Sequence, residues 1–324
     1  MPRSTSTTFK SRPLERDDLP RLVDLLEACE SVDRSESNRS TIELQRSFDN
    51  PPPNTVRVWQ LWETEDDRTV GYGRYTIFDR PEDVCEAYPS VRVHPDYRDS
   101  SLERDILAWC EQEVRRLKPN SESPIHFWTG VRSDKPHYRQ LYEDFGYQAV
   151  RWFYQMRRSL LEPIPEPNFP EGFTVRTCQG EVDAEPWVEM FNQTFIDRWN
   201  FHPLPIENYR HHVQLPTYRA DLNWLALSPD GTFSAFCGCR IFEERNTRNG
   251  RKEGWVEVLG TRRGFRRRGL GRAMLLLGLH ELKAAGMEIA LLGVDSENPN
   301  QARRLYESVG FEHQHTGISY TKKI

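Results

Sequence analysis

Apolar and polar positions follow the same order twice along the chain. The first run opens with FKSRPLERDDLPRLVDLL (9–26), whose pattern predicts a short strand, an acidic turn and an amphipathic helix. Strands follow at VRVWQLW (56–62) and at its hairpin partner VGYGRYTIF (70–78). The second run opens alike with FTVRTCQGEVDAEPWVEMF (173–191), and its strands follow at NWLAL (223–227) and FSAFCGCRIF (233–242). It continues with a strand at WVEVLG (255–260) and a helix at LGRAMLLLGLHELKAAG (270–286). A strand at EIALLGVD (288–295), a short helix in NQARRLYESVG (300–310) and a last strand after Phe311 complete it. The 270–286 helix is apolar almost all round, so it must pack on a sheet face, and Gly286 suits its C-terminal cap. The reading is α/β, with a central mixed β-sheet flanked by helices, formed twice.

Local identities support a duplication. RQLYEDFGY (139–147) matches RRLYESVGF (303–311), and VHPDYRDSSLE (93–103) matches TRRGFRRRGLG (261–271) in shape. The two matches are out of step by a loop-sized difference, which the polar KPNSESP (118–124) accounts for. Between the halves lies LEPIPEPNFP (161–170), whose four prolines suit neither a helix nor a central strand. The expected organisation is an N-terminal domain over 1–160, a stiff linker over 161–170 and a C-terminal domain over 171–324.

Composition narrows the function classes. A chain of 324 residues has length for about two domains. A net charge of −5 gives no general attraction to nucleic acid or to an anionic membrane. No apolar run approaches the ~18 residues of a spanning helix, and MPRSTSTTFKSR at the start lacks the apolar core of a secretory signal. The six cysteines lie mostly within hydrophobic segments and read as reduced core residues, which points to the cytoplasm. Cys237 and Cys239 have no second cysteine pair, so no metal is expected.

The sharpest motif is Arg266-Arg267-Arg268-Gly269-Leu270-Gly271, followed by Arg272, between a predicted strand and the long helix. Glycines let a ligand approach the backbone, and the helix N-terminus offers unpaired N–H groups. With the arginines, these make an anion cradle suited to a pyrophosphate. The nucleotide-binding G-x-x-x-x-G-K-[ST] loop is absent, and Met274 stands where a dinucleotide fold needs its third glycine.

The segment from Thr261 to Phe311 resembles the acetyl-CoA motif of the GNAT acyltransferase superfamily. Arg266, Gly269, Gly271, Asn298, Ala302, Leu305, Tyr306, Gly310 and Phe311 carry the likeness. The tandem layout and FNQTFIDRWNFHP (191–203) are similar to mycothiol synthase and its relatives. Those sequences usually carry a glutamate two residues before Glu257, where this chain has Trp255. The resemblance implies an N-acetyltransferase that moves an acetyl group from acetyl-CoA to a primary amine of a small molecule. It further implies direct transfer within a ternary complex, with acetyl-CoA as the co-substrate. The resemblance also implies that the strand before the cradle splays from its neighbour, so that Val258, Leu259 and Gly260 hold the pantetheine and the carbonyl, with Asn298 beside the arm. Strand alternation groups Trp255, Glu257 and Leu259 on one apolar side, where burial would make Glu257 a general base. Tyr306 is the expected acid.

Phe195, Trp199 and His202, with Asp197, Asn200 and Phe201 among them, are the expected acceptor contacts, because aromatics beside a carboxylate suit an amine. In the N-terminal half, Arg98-Asp99-Ser100-Ser101-Leu102-Glu103 has lost both glycines and gained acids, so that half is expected to be degenerate and non-catalytic. The expected oligomeric state is a monomer with an internal pseudo-dimer, or a weak homodimer, without nucleic-acid or membrane partners. Two rival readings are a non-catalytic acyl-CoA-binding regulator and an enzyme that acetylates a protein N-terminus or lysine.

Overall fold

The computed structural model describes residues 9–36, 39–79, 85–98, 100–117 and 124–324. The chain forms two compact units, one of residues 1–151 with 317–324 and one of residues 152–316. Both are mixed α/β.

In the first unit, β1 (Lys10–Pro13), β2 (Thr55–Glu63), β3 (Thr69–Asp79) and β4 (Cys85–Val93) pair antiparallel in sequence order. β5 (Ile125–Arg132) joins β4 in parallel. The helices are α1 (Leu19–Asp33), α2 (Thr41–Asp49), α3 (Leu102–Leu117) and α4 (Pro136–Asp144). A Ser40 capping box starts α2: the Ser40 hydroxyl accepts from Glu43 N–H, and the Glu43 carboxylate accepts from Ser40 N–H. Tyr75, Ile106 and Phe127 centre the core between sheet and α3.

The second unit repeats the plan. β7 (Thr174–Thr177), β8 (Asn223–Leu227), β9 (Phe233–Ile241) and β10 (Glu253–Thr261) pair antiparallel in order, and β11 (Ile289–Asp295) joins β10 in parallel. Its helices are α5 (Ala184–Phe195), α6 (Ile206–Gln214), α7 (Glu243–Asn249), α8 (Leu270–Ala284) and α9 (Ala302–Glu307). The near-uniform apolarity of α8 has its explanation in the core, where Met274, Leu275 and Leu279 pack with Cys237 and Val256. The pattern of the chain did not mark α2, α6 or α7. All six cysteines are buried free thiols.

The units divide at 151/152 and 316/317 and not within 161–170, because each sheet is completed by a strand from the other end of the duplicated pattern. β6 (Gln148–Ser159), which follows the first LYEDFGY motif, pairs through Phe153–Ser159 with β11 of the second unit. β12 (Glu312–Lys323), which follows LYESVGF, pairs through Gly317–Lys323 with β5 of the first unit. Side chains fix the exchange. Tyr320 is fully buried and donates to Glu143 at 2.8 Å, and Lys322 donates to both oxygens of Glu111 at 2.9 Å. Residues 163–170 are irregular backbone within the second unit. Among the described residues, no helix is long and apolar enough to cross a membrane.

Candidate active site

β10 and β11 pair from Glu253↔Ile289 to Val256↔Leu292, and the pairing then stops although both strands continue. Beyond that point β10 pairs only with β9, from Val258↔Gly238 to Thr261↔Ala235. Its other edge therefore carries backbone donors and acceptors without ladder partners among the described residues. A cleft of about 560 Å³ opens there, and Val258, Leu259 and Gly260 line it together with Asn298 and Tyr306.

The register of β10 against β9 slips between Val256 and Val258, so Glu257 is the extra residue of a β-bulge. The bulge breaks the alternation that had grouped Trp255, Glu257 and Leu259. It also overturns the expected burial. The Glu257 side chain is 45% exposed and accepts from Arg240 Nη1 at 3.1 Å, a partner supplied by the neighbouring strand. Glu257 lines both the large cleft and an adjoining cavity of about 60 Å³ that holds His212, Tyr218 and Arg240. α6 brings His212 to this cavity beside Glu257, a meeting that no local spacing in the sequence marks. Burial holds the His212 imidazole below its usual value, with Glu257 opposing.

The loop between β10 and α8 ends at Gly269, whose φ of +88° suits glycine and lets the chain turn directly into the helix. No side chain caps α8, so the N–H groups of its first turn are open to a ligand. Leu270, Gly271 and Arg272 line the cleft. A Cβ on Gly271 would stand 3.3 Å from Thr261 Oγ1, so the glycine keeps this corner open.

The arginines divide by role. Arg266 is bonded to protein at every nitrogen: Nε to Thr261 O at 3.3 Å, Nη2 to Thr194 O at 2.8 Å, and Nη1 to Asp197 at 3.1 Å and Asn300 at 3.3 Å. Arg263 also binds Asp197. Asp197, expected among the acceptor contacts, is thus a clamp for the loop, and hydrogen bonds from Arg266 and then Arg263 hold its carboxyl below the usual range. Arg268 lies over the Phe265 ring and is absent from the cleft lining. Arg272 donates to Ser308 Oγ at 2.9 Å. Arg267 lines the cleft with a left-handed φ of +64° and no hydrogen bond or ion pair to a described residue.

Tyr306 on α9 lines the cleft at 8% exposure, and its hydroxyl bonds to no described residue. Burial, with a smaller contribution from Cys237, pushes the phenol up to about 12. Asn298 accepts from the N–H of Asn300 at 2.9 Å and of Ala302 at 3.4 Å, so it shapes the turn into α9 as well as lining the cleft. Of the expected acceptor contacts, Phe195 lines the cleft, packed on Phe191 and Phe236. Trp199 stands one layer back against Phe153, which itself lines the cleft, and His202 lies outside the lining.

The first unit keeps the opening but not the cradle. β4 and β5 pair only from Cys85↔Ile125 to Ala87↔Phe127. Where α8 has its glycines, α3 begins with Leu102 and a buried Glu103, which pairs with His137 Nε2 at 2.8 Å. Asp99 lies outside the described residues. Arg98 binds Asp33 through both terminal nitrogens at 2.7 Å.

Comparison with known proteins points the same way. Residues 184–311 match the acetyltransferase (GNAT) family. A mycothiol acetyltransferase of Thermobispora bispora is 30% identical over 230 residues, covering 71% of this chain and 74% of that protein. One from Thermomonospora curvata is 29% identical over 265 residues, 82% of each chain. Among solved structures, a GCN5-related N-acetyltransferase from Sphaerobacter thermophilus is similar with a TM-score of 0.77 and 24% identity, over 97% of this chain and 95% of that one. A tandem GNAT protein from the clavulanic acid biosynthesis pathway is similar with a TM-score of 0.78 and 14% identity, over 98% of each.

Proposed function

Because the chain belongs to the GNAT acetyltransferase family, we propose that its second unit acetylates a primary amine of a small molecule with acetyl-CoA as co-substrate. One observation carries the reading: the β10–β11 ladder ends at Val256↔Leu292 beside the uncapped start of α8. An extended amide arm needs a strand edge without a partner, and a pyrophosphate needs free N–H groups at a helix start. Both lie along one cleft of about 560 Å³, within the size range of small-molecule sites. The co-substrate supplies the activated acetyl thioester; the rest is the work of side chains and backbone.

The N–H of Leu259, which lies on the unpaired edge while that of Gly260 turns to β9, donates to the carbonyl oxygen as it gains charge. Glu257 takes the proton of the attacking amine through a water, because its exposed position at the bulge is open to solvent. Tyr306 protonates the sulfur as the carbon–sulfur bond breaks, and its raised value keeps it protonated across the physiological range. The carbon–nitrogen bond forms in the same complex, so no acyl-enzyme is required. Leu270, Gly271 and Arg267 face the pyrophosphate, while Arg266 and Asp197 hold the loop in place. The acceptor occupies the side of the cleft with Phe195 and Glu257. The curated relatives named mycothiol acetyltransferase support a small-molecule acceptor. The first unit is assigned a non-catalytic role, since Glu103 places a buried carboxylate at the start of α3.

Titration with acetyl-CoA should give one site per chain, and an acceptor panel read by free-thiol release should identify amines that are turned over. Two equivalent sites would overturn the division of labour. Absence of binding, with the protein folded, would overturn the reading itself.

A further inference from the structure

In the first unit a cavity of about 170 Å³ opens between α1, the region before α2, and the middle of β3 and β4. Arg39, Arg74 and Arg92 line it. Arg57 of β2 is close enough to act on Arg74 and Arg39, and burial followed by Arg74 holds its guanidinium below the usual value. Among the described residues, none of these four arginines forms an ion pair. Arg57 donates to Ser47, Arg92 donates to Val91 O and lies over Tyr138, and Arg74 lies over Trp59. The Nε atoms of Arg57 and Arg74 are buried with no partner among the described residues.

The acids at the cavity form no ion pair with these arginines, although against burial Tyr138, Tyr142, Cys29 and Asp33 together hold the Arg92 guanidinium above its usual value. Asp33 is held by both terminal nitrogens of Arg98 at 2.7 Å and by the Tyr138 hydroxyl at 2.9 Å. Glu30 accepts from the Ser35 hydroxyl and the Glu36 N–H, each at 2.6 Å. Arg57, Arg74 and Arg92 are half-buried and Arg39 is exposed, so the hollow gathers several partly desolvated guanidinium groups that lack ion-pair partners among the described residues, an arrangement that suits an anion.

Register makes the contrast with the second unit specific. The turn at Pro95–Tyr97 follows β4 as the turn at Arg263–Phe265 follows β10. Counted from these turns, Arg92 opposite Tyr72 corresponds to Gly260 opposite Phe236, and Arg74 opposite Ser90 corresponds to Gly238 opposite Val258. Two strand positions that are glycine beside the acetyl-transfer cleft are therefore arginine in the first unit.

We propose that this cavity binds a small oxyanion carrying two or more negative charges, with Arg39, Arg74 and Arg92 as its ligands. Its volume suits a compact group, well below the ~300–1,000 Å³ of drug-sized sites. A phosphate and a short dicarboxylate share this chemistry, and Arg can meet either bidentately.

The test uses the full chain, in thermal unfolding and calorimetry, with inorganic phosphate and succinate each compared with chloride at matched ionic strength. Saturable stabilisation by phosphate, by succinate or by both supports the site, and the tighter of the two names the ligand class. Arg74→Gln and Arg92→Gln should each weaken binding by about tenfold or more, since a hydrogen bond to a charged group is lost. Without anion, Arg74→Gln should melt no lower than the parent, because it removes a half-buried charge that has no ion-pair partner among the described residues. Gly271→Glu in the second unit should leave the response unchanged, separating this site from the α8 cradle. Arg39→Gln, at an exposed position, serves if an inner variant fails to fold. Equal stabilisation by chloride overturns the proposal. So does an anion response that survives the arginine substitutions while the apo protein loses stability, which would make the arginines structural.

Discussion

Gly271→Glu puts the anion cradle to a quantitative test. Gly271 lies in the first turn of α8 and lines the cleft, and a Cβ there meets only Thr261 Oγ1 at 3.3 Å and Leu305 Cδ2 at 3.8 Å. Thr261 must yield by a few tenths of an ångström, so the fold should survive. A carboxylate in the first turn also faces the positive end of the helix, worth ~0.3–1 kcal/mol in favour of stability. Against a bound pyrophosphate the same carboxylate is repelled. Two unit charges ~4 Å apart cost about 4 kcal/mol at an effective dielectric of 20, close to a thousandfold in affinity. Gly271→Ala is the control, adding the Cβ without the charge, and it should lose no more than about tenfold. Calorimetric titration with coenzyme A reads affinity, and a thermal melt confirms that each variant is folded. The reasoning fails if Gly271→Glu binds within about threefold of the parent. It fails equally if Ala and Glu lose the same amount, since crowding and not charge would then set the loss.

Tyr306→Phe should keep coenzyme A affinity and melting temperature, because the hydroxyl bonds to no described residue, while kcat falls ~10²–10⁴-fold; a change confined to KM would make Tyr306 a packing residue. With the phenol pushed up to about 12, the alkaline limb of kcat in the parent should show no phenol ionisation near 10, and a limb at 10 would contradict this environment. Glu257→Gln should cost under ~1 kcal/mol of stability, as expected for an exposed pair with Arg240, and should lower kcat by ~10²-fold or more. Unchanged turnover would pass the base role to His212, the other proton acceptor of that cavity. In the first unit, the hydrogen bond to Glu103 raises His137 above its usual value, so its stabilisation is complete below the unfolded pKa and is lost as pH rises through the folded one. Melts from mildly acidic to alkaline pH should show that loss in the parent and not in Glu103→Gln; parallel profiles would mean the pair does not couple to folding.

Local pattern and long-range pairing were legible to very different degrees. NWLAL spans the residues of β8, and the apolar run after Gly269 falls on α8, because periodicity and capping are written in neighbouring residues. The bulge at Glu257 left no mark. Val256 and Val258 flank it as they would any regular strand, and the slip is visible only once Cys239 and Gly238 stand opposite. Arg266 and Asp197 show the same limit from the side of charge. Each suits a ligand by residue type, yet they meet across about seventy positions of chain and satisfy one another. The strand exchange is the plainest case. β6 and β12 follow nearly the same motif, and a period-two pattern says which side of a strand is buried but never which strand lies beside it. What selects the partner is side chains far along the chain. Lys322 finds Glu111, and Tyr320 finds Glu143, both in the first unit. A duplicated sequence thus suggests two self-contained domains, while its edge pairings join each sheet to the opposite end of the repeat. It follows that cutting the chain within 161–170 would remove β12 from the first unit and β6 from the second. Neither fragment should fold alone, whereas co-expression of the two should restore the pairs.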